Sequence, residues 1–139
     1  KDPLSGCVGS FQIHPSEAEI LQLYESVGWT AYTEAPTALK NGFRNSLLTL
    51  AAYEGGQLLG LIRVVGDRHT IIFVQDILVL PEYQRRGIGS ALLRTVVERY
   101  ADVRQIELVT DNTAKTKAFY RSVGFWELSE IDCCGFMRL

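Results

Sequence analysis

The sequence predicts a mixed α/β sheet with helices on both faces, and three observations lead there. Short apolar runs of strand length alternate with segments of helical periodicity. Two successive strand connections are tight turns, which only antiparallel neighbours can use. A later pair of strands is joined through a long helix, the crossover that parallel neighbours require.

Phe11 to Ile13 reads as a short opening strand. Ser16 then precedes Ile20, Leu21, Leu23, Tyr24 and Val27 at helical spacing, and Glu19 stands three residues after it as in a capping box. Gly28 is a natural stop. Residues 28–36 read as a loop, and Thr37 to Asn45 as a second helix. Leu47–Tyr53 and Leu58–Val65 are strands joined through Glu54-Gly55-Gly56-Gln57, a hairpin pattern. The turn Gly66-Asp67-Arg68-His69 leads into the strand Thr70–Leu80, closed by Pro81. Gly87–Tyr100 is the clearest helix, with Ile88, Leu92, Thr95, Val96 and Arg99 recurring every three or four residues. Gln105–Thr110 is a strand and Asn112–Val123 a helix stopped by Gly124. Phe125–Ile131 and Phe136–Leu139 read as a closing strand pair.

The 139 residues suffice for one domain, 1–139, with a core of its own. A hydrophobic fraction of 47% and a charged fraction of 22% exclude a disordered tail, a collagen-like chain and a coiled coil. The net charge of −2 argues against a general nucleic-acid binder. The longest apolar run, Thr70–Leu80, is interrupted by Gln75 and Asp76 and falls short of the about 20 residues that cross a bilayer. No basic–apolar–small-residue leader opens the chain, and a start at Lys1 rather than Met suggests a trimmed N-terminus. Cys7, Cys133 and Cys134 are an odd set without a CxxC pair, which reads as reduced thiols in a cytoplasm.

The chemistry concentrates in residues 76–93, DILVLPEYQRRGIGSALL. A buried strand ends at proline, a polar turn follows, and two arginines and Gly-Ile-Gly open a long helix. The first turn of a helix has unpaired N–H groups and a positive dipole end, and glycines remove the Cβ atoms that hold an anion off. The turn is therefore a candidate phosphate cradle. A P-loop is absent, and a dinucleotide fingerprint would need a third glycine near Leu92. The alternative is a glycine-relaxed turn beside two solvated arginines.

The whole stretch resembles motif A of the GCN5-related N-acetyltransferases, Q/R-x-x-G-x-G/A, here Gln84-Arg85-Arg86-Gly87-Ile88-Gly89. Downstream, Ala118-Phe119-Tyr120-Arg121-Ser122-Val123-Gly124-Phe125 is similar to the family's A-x-x-F/L-Y-x-x-x-G-F signature. The resemblance covers about residues 47–126 well and the first 45 residues in layout alone. It implies acetyl-CoA as co-substrate and a splayed parallel strand pair. The pyrophosphate would sit on Arg85, Arg86, Gly87, Ile88, Gly89 and Ser90, and the pantetheine arm would pair with backbone groups of Ile77, Leu78 and Val79. An Asn early in the second helix of such proteins often contacts the cofactor. Here Asn112 stands eight residues before Tyr120, where seven is commoner, so Thr113 holds the usual place.

An amine must attack a thioester as a free base, and a thiolate must leave and take a proton. Tyr120 is the candidate donor. At 100° per residue, Ala114, Ala118, Phe119, Ser122 and Val123 form one apolar side, and Tyr120 lies about 150° from its centre. Asp76, a carboxylate inside an apolar strand, is either hydrogen-bonded structurally or placed as a base. Glu34 follows Trp29 and Tyr32 in the segment that borders the acceptor site in this family. Two aromatics and a carboxylate suit a cationic or aromatic amine. The alternative is a self-packed loop with Glu34 in solvent. His14 and His69 read as surface residues, Lys115 and Lys117 as solvated lysines. No metal set or nucleophilic triad stands out, which favours direct transfer.

The leading expectation is a small cytoplasmic N-acetyltransferase acting on a primary amine, a small molecule rather than a protein, with a homodimer expected from the habit of its relatives. The alternative is a non-catalytic acyl-CoA-binding or partner-binding module of the same fold.

Overall fold

A computed structural model describes residues 10–13 and 15–139; Cys7 and His14 lie outside them. The chain forms two compact units, residues 1–109 and 110–139.

The first unit is a five-stranded sheet in the order β1-β2-β3-β4-β5, built from β1 (Ser10–Ile13), β2 (Leu48–Glu54), β3 (Gln57–Gly66), β4 (Ile71–Val79) and β5 (Gln105–Leu108). The first three junctions are antiparallel, and β4 with β5 is parallel. Four helices accompany them: α1 (Glu17–Ser26), α2 (Thr30–Thr33), α3 (Pro36–Arg44) and α4 (Ile88–Arg99). The expected mixed sheet with a helical crossover is therefore present.

Local chemistry explains the elements. The capping box at α1 is complete: Glu19 N–H donates to Ser16 Oγ, and Ser16 N–H donates to Glu19 Oε1. Gly55 and Gly56 both take positive φ, 57° and 79°, as the two-residue hairpin between β2 and β3 demands. Residues 28–36 are not all loop: α2 forms within them, because Trp29 and Tyr32 pack their rings edge-on against Tyr24 of α1.

Thr49, Arg63 and Asp76 are register partners on β2, β3 and β4, so their side chains share one sheet face. Tyr24 of α1 reaches Asp76 from that side. Burial is unbroken from Leu58 to Val64 on β3, so the opposite face is covered too. There α4 packs on β2, β3 and β4 and buries Ile88, Leu92, Leu93 and Val96.

One irregularity positions the site. Arg63 pairs with Asp76, but Val64 pairs with Val74, which leaves Gln75 as an extra residue on β4. Such a bulge bends its strand. The β4–β5 pairing ends at Val74 and Leu108, while β4 runs on to Val79, and no strand of the described residues pairs with it there on the β5 side.

The second unit holds α5 (Ala114–Ser122), capped by Thr113, whose Oγ1 accepts from Thr116 N–H at 3.2 Å. The closing strand pair expected at 125–131 and 136–139 does not form. Leu128–Ile131 is a 3-10 turn instead. Glu127 and Glu130 cap each other's backbone, Asp132 turns the chain at φ 60°, and Glu127 and Glu130 pair with Lys117 and Arg121 of α5 at 2.7 and 3.1 Å. These local bonds hold the segment in a turn in place of an extended backbone. Residues 132–139 continue as an exposed arm without regular structure.

Candidate active site

The turn between β4 and α4 carries the anion-binding geometry. A 3-10 turn, Pro81–Tyr83, follows the strand, and Gly87 caps α4 with φ 80°. The first helical bond is Ala91 N–H to the Gly87 carbonyl, 3.0 Å. The N–H groups of Gly87, Ile88, Gly89 and Ser90 precede it, and among the described residues they meet no backbone acceptor. That is the positive end of a helix of twelve residues. Arg85 adopts φ 67°, a left-handed conformation costing about 1–3 kcal/mol in a non-glycine residue. Such strain is kept where the surrounding structure dictates it.

The two arginines behave differently. Arg86 pairs with Glu54 at 3.1 Å and lies over the Tyr83 ring, 5.1 Å from its centroid, which ties the turn to the β2–β3 hairpin. Arg85 is exposed and joins no ion pair among the described residues.

The strand before the turn offers alternate backbone groups. Leu80 N–H donates to the Leu59 carbonyl at 2.7 Å, so Leu59–Leu80 is a bonded pair of the antiparallel ladder. Alternation then makes Leu61–Leu78 a bonded pair as well, with the Leu78 groups turned toward β3. Ile77 and Val79 turn theirs to the open edge. The expectation for Ile77, Leu78 and Val79 thus narrows to the first and third. The Val79 carbonyl accepts from Gln84 Nε2 at 3.1 Å, which also fastens the turn to the strand.

Asp76 is 3% exposed. Its Oδ2 accepts from Arg63 Nε at 2.8 Å and from the Tyr24 hydroxyl at 2.9 Å. Arg63 Nη1 donates to Ser46 Oγ, and the guanidinium lies 5.0 Å from the Phe43 ring centre. Burial first, and then the Asp76 charge, push the Tyr24 phenol far above its usual range, so it stays a hydrogen-bond donor. Tyr24 touches Trp29, Tyr32 and Phe43 edge-on, with centroids 5.4 to 6.0 Å away. One buried ion pair thus anchors four aromatic rings. Tyr32 also accepts from Gln75 Nε2 at 3.2 Å, on the bulge of β4. Glu34 is exposed just past α2.

Sequence reasoning named Asp76 but not its partners. A lone arginine amid the apolar run Leu58–Val65 was the available signal for Arg63.

In the second unit, Tyr120 is half-buried, with its ring between Phe119 at 4.9 Å and Phe125 at 6.1 Å. Its phenol is raised, chiefly by burial; a hydrogen bond to Thr110 opposes the shift. The expected apolar stripe is wrong in detail: Ala114, Ala118 and Ser122 are exposed, and Phe119 and Tyr120 supply the packed side. The two rings carry more apolar area than the small residues. Asn112 is exposed outside the helix, Lys115 is solvated, and Lys117 is bound to Glu127. His69 is an exposed turn residue whose N–H donates to Asp67 Oδ1.

The model of the acetyltransferase (GNAT) family matches residues 6–125. A solved GNAT-family acetyltransferase from Streptococcus pneumoniae is 38% identical, with a TM-score of 0.85 over 95% of this chain and 96% of that one. An N-acetyltransferase, ycf52, of Gracilaria tenuistipitata is 26% identical over 84% of this chain and 65% of its own length. A histone acetyltransferase, TAP1, of Glycine max is 31% identical over 77% of this chain and 50% of its own length. The chain belongs to the GNAT acetyltransferase family. It spans between half and two thirds of the length of these two curated relatives.

Proposed function

We propose that this chain, as a single transferase domain, moves an acetyl group from acetyl-CoA directly to a primary amine of a small molecule. The observation that carries the reading is the row of N–H groups from Gly87 to Ser90, which meet no backbone acceptor among the described residues, beside the guanidinium of Arg85, which joins no ion pair among them. The donors fit a diphosphate, and the edge-facing groups of Ile77 with the N–H of Val79 fit an extended amide-bearing arm. Arg86, held by Glu54, shapes the turn and adds positive charge.

In the reaction the amine nitrogen attacks the thioester carbonyl, the C–S bond breaks, and the thiolate leaves with a proton. Tyr120 is the donor: its raised phenol remains protonated at neutral pH. Trp29, Tyr32 and Glu34 suit a cationic acceptor through ring faces and charge. Asp76 is committed to Arg63 and Tyr24, so it holds this aromatic group in place; Glu34, exposed and in no ion pair among the described residues, is the carboxylate left to receive the ammonium proton. Asn112 is left with at most a peripheral contact to the cofactor. The unpaired, exposed Cys133 and Cys134 accord with a cytoplasmic setting.

Thiol release from acetyl-CoA, followed across a panel of small amines and lysine peptides, tests the reading. Turnover with a small amine supports it. Turnover confined to peptides moves the acceptor to proteins, and CoA binding without turnover makes the chain a binding module.

A further inference from the structure

We propose that the cavity between α1 and α3 is a second small-molecule site, which takes a monoanionic acid with one ring and a hydroxyl at the end remote from its carboxylate. The cavity holds about 240 Å³. Its walls are apolar, with Ile20 and Leu21 from α1 and Leu39 and Phe43 from α3. A cavity of about 150 Å³ accepts a benzene ring, and drug-sized ligands occupy roughly 300 Å³ or more. The size therefore suits a single ring with a short tail.

The floor is polar at one point. Thr49 of β2 lines the cavity and is 7% exposed, and its hydroxyl has no hydrogen-bond partner among the described residues. A hydroxyl kept from bulk water without a partner is costly. No fully sealed side-chain oxygen or nitrogen of the described residues lacks a partner, so this hydroxyl opens on the cavity. An occupant with an O–H at its inner end supplies the missing bond. The outer rim is positive. Glu17 of α1 and Lys40 of α3 pair there at 3.5 Å with both side chains well exposed, a contact that holds Lys40 weakly. Arg44 lines the same rim, is exposed, and joins no ion pair among the described residues. Two cations against one carboxylate leave one positive charge uncompensated, which selects a monoanion.

The cavity is not part of the site beside β4. Thr49 lies on β2, and β3 stands between β2 and β4. Phe43 is the partition, since its ring faces the cavity and also meets Tyr24, 6.0 Å away between centroids, and the Arg63 guanidinium at 5.0 Å.

The probe is 4-hydroxyphenylacetate, titrated by calorimetry into the unchanged protein with no acetyl-CoA present. One site per chain is expected, with a dissociation constant of about 1 mM or lower. Phenylacetate, which lacks the hydroxyl, and 4-hydroxyphenylacetamide, which lacks the charge, should each bind about tenfold more weakly. These comparisons need no variant to fold. Leu21→Trp fills the cavity from α1 and should abolish binding. Arg44→Gln should weaken binding of the acid and leave the amide unchanged. Thr49→Val keeps the shape of the floor and should erase the difference between the probe and phenylacetate. No saturation by about 10 mM, equal affinity for either analogue, or binding that survives Leu21→Trp overturns the proposal.

Discussion

Arg63 and Asp76 stand opposite each other on β3 and β4, and the guanidinium Nε donates to Oδ2 at 2.8 Å with both side chains nearly sealed from water, 8% and 2% exposed. Tyr24 donates to the same oxygen. The pair joins the sheet to the aromatic rings of the first three helices.

Breaking such a pair from one side leaves an uncompensated buried charge. Asp76→Leu is expected to lose about 3–5 kcal/mol in urea unfolding. Arg63→Met with Asp76→Leu should recover most of that loss, because apolar replacement of both partners is often neutral. The double variant costing as much as the sum of the singles would show that the two residues act independently.

Gly87 and Gly28 make a matched pair of left-handed glycines, both at φ 80°. Alanine at either position should cost about 1–2 kcal/mol of stability through the backbone. Only Gly87→Ala puts a methyl on the cradle, so it alone should raise the dissociation constant for CoA, by about tenfold or 1.4 kcal/mol. Titration calorimetry on both variants checks this; equal affinities would remove the turn from cofactor binding.

Tyr120→Phe retains the ring packing against Phe119 and Phe125 and removes only the hydroxyl. If that hydroxyl protonates the leaving thiolate, kcat falls about 100- to 10,000-fold while CoA affinity persists. Steady-state thiol release and a binding titration together decide it. Unchanged turnover excludes the phenol.

The sequence shows best those features whose cause is local. The Ser16–Glu19 box, the Gly55–Gly56 hairpin and the α4 crossover each depend on residues within a few positions, and all are present. The Arg63–Asp76 pair was hidden because the extra residue at Gln75 shifts the β3–β4 register, and no composition marks that bulge. The orientation of α5 was missed because a helical wheel weighs a methyl like a ring. The closing strands failed for a different reason. An apolar pattern records what a segment would bury, but not the local caps and ion pairs, here Glu127 and Glu130 with Lys117 and Arg121, that draw its backbone into a turn.

Tyr53 links the sheet to the cap of α1, since its hydroxyl donates to Glu19 Oε1 at 3.1 Å. Burial, with that bond and the Glu19 charge, pushes its phenol up to about 12. The unfolded phenol titrates near 10. Between those values the native state holds a proton that the unfolded chain has released, so stability must fall as pH rises from about 10 to 12. Below pH 10 the contribution is complete. Tyr24, raised further still, extends the same trend to higher pH. Urea midpoints measured across this window should drop for the unchanged protein and drop less for Tyr53→Phe, which has no phenol there to ionise. An equal decline in both would mean that the Tyr53 hydroxyl is open to water and that its bond to Glu19 adds nothing to the cap.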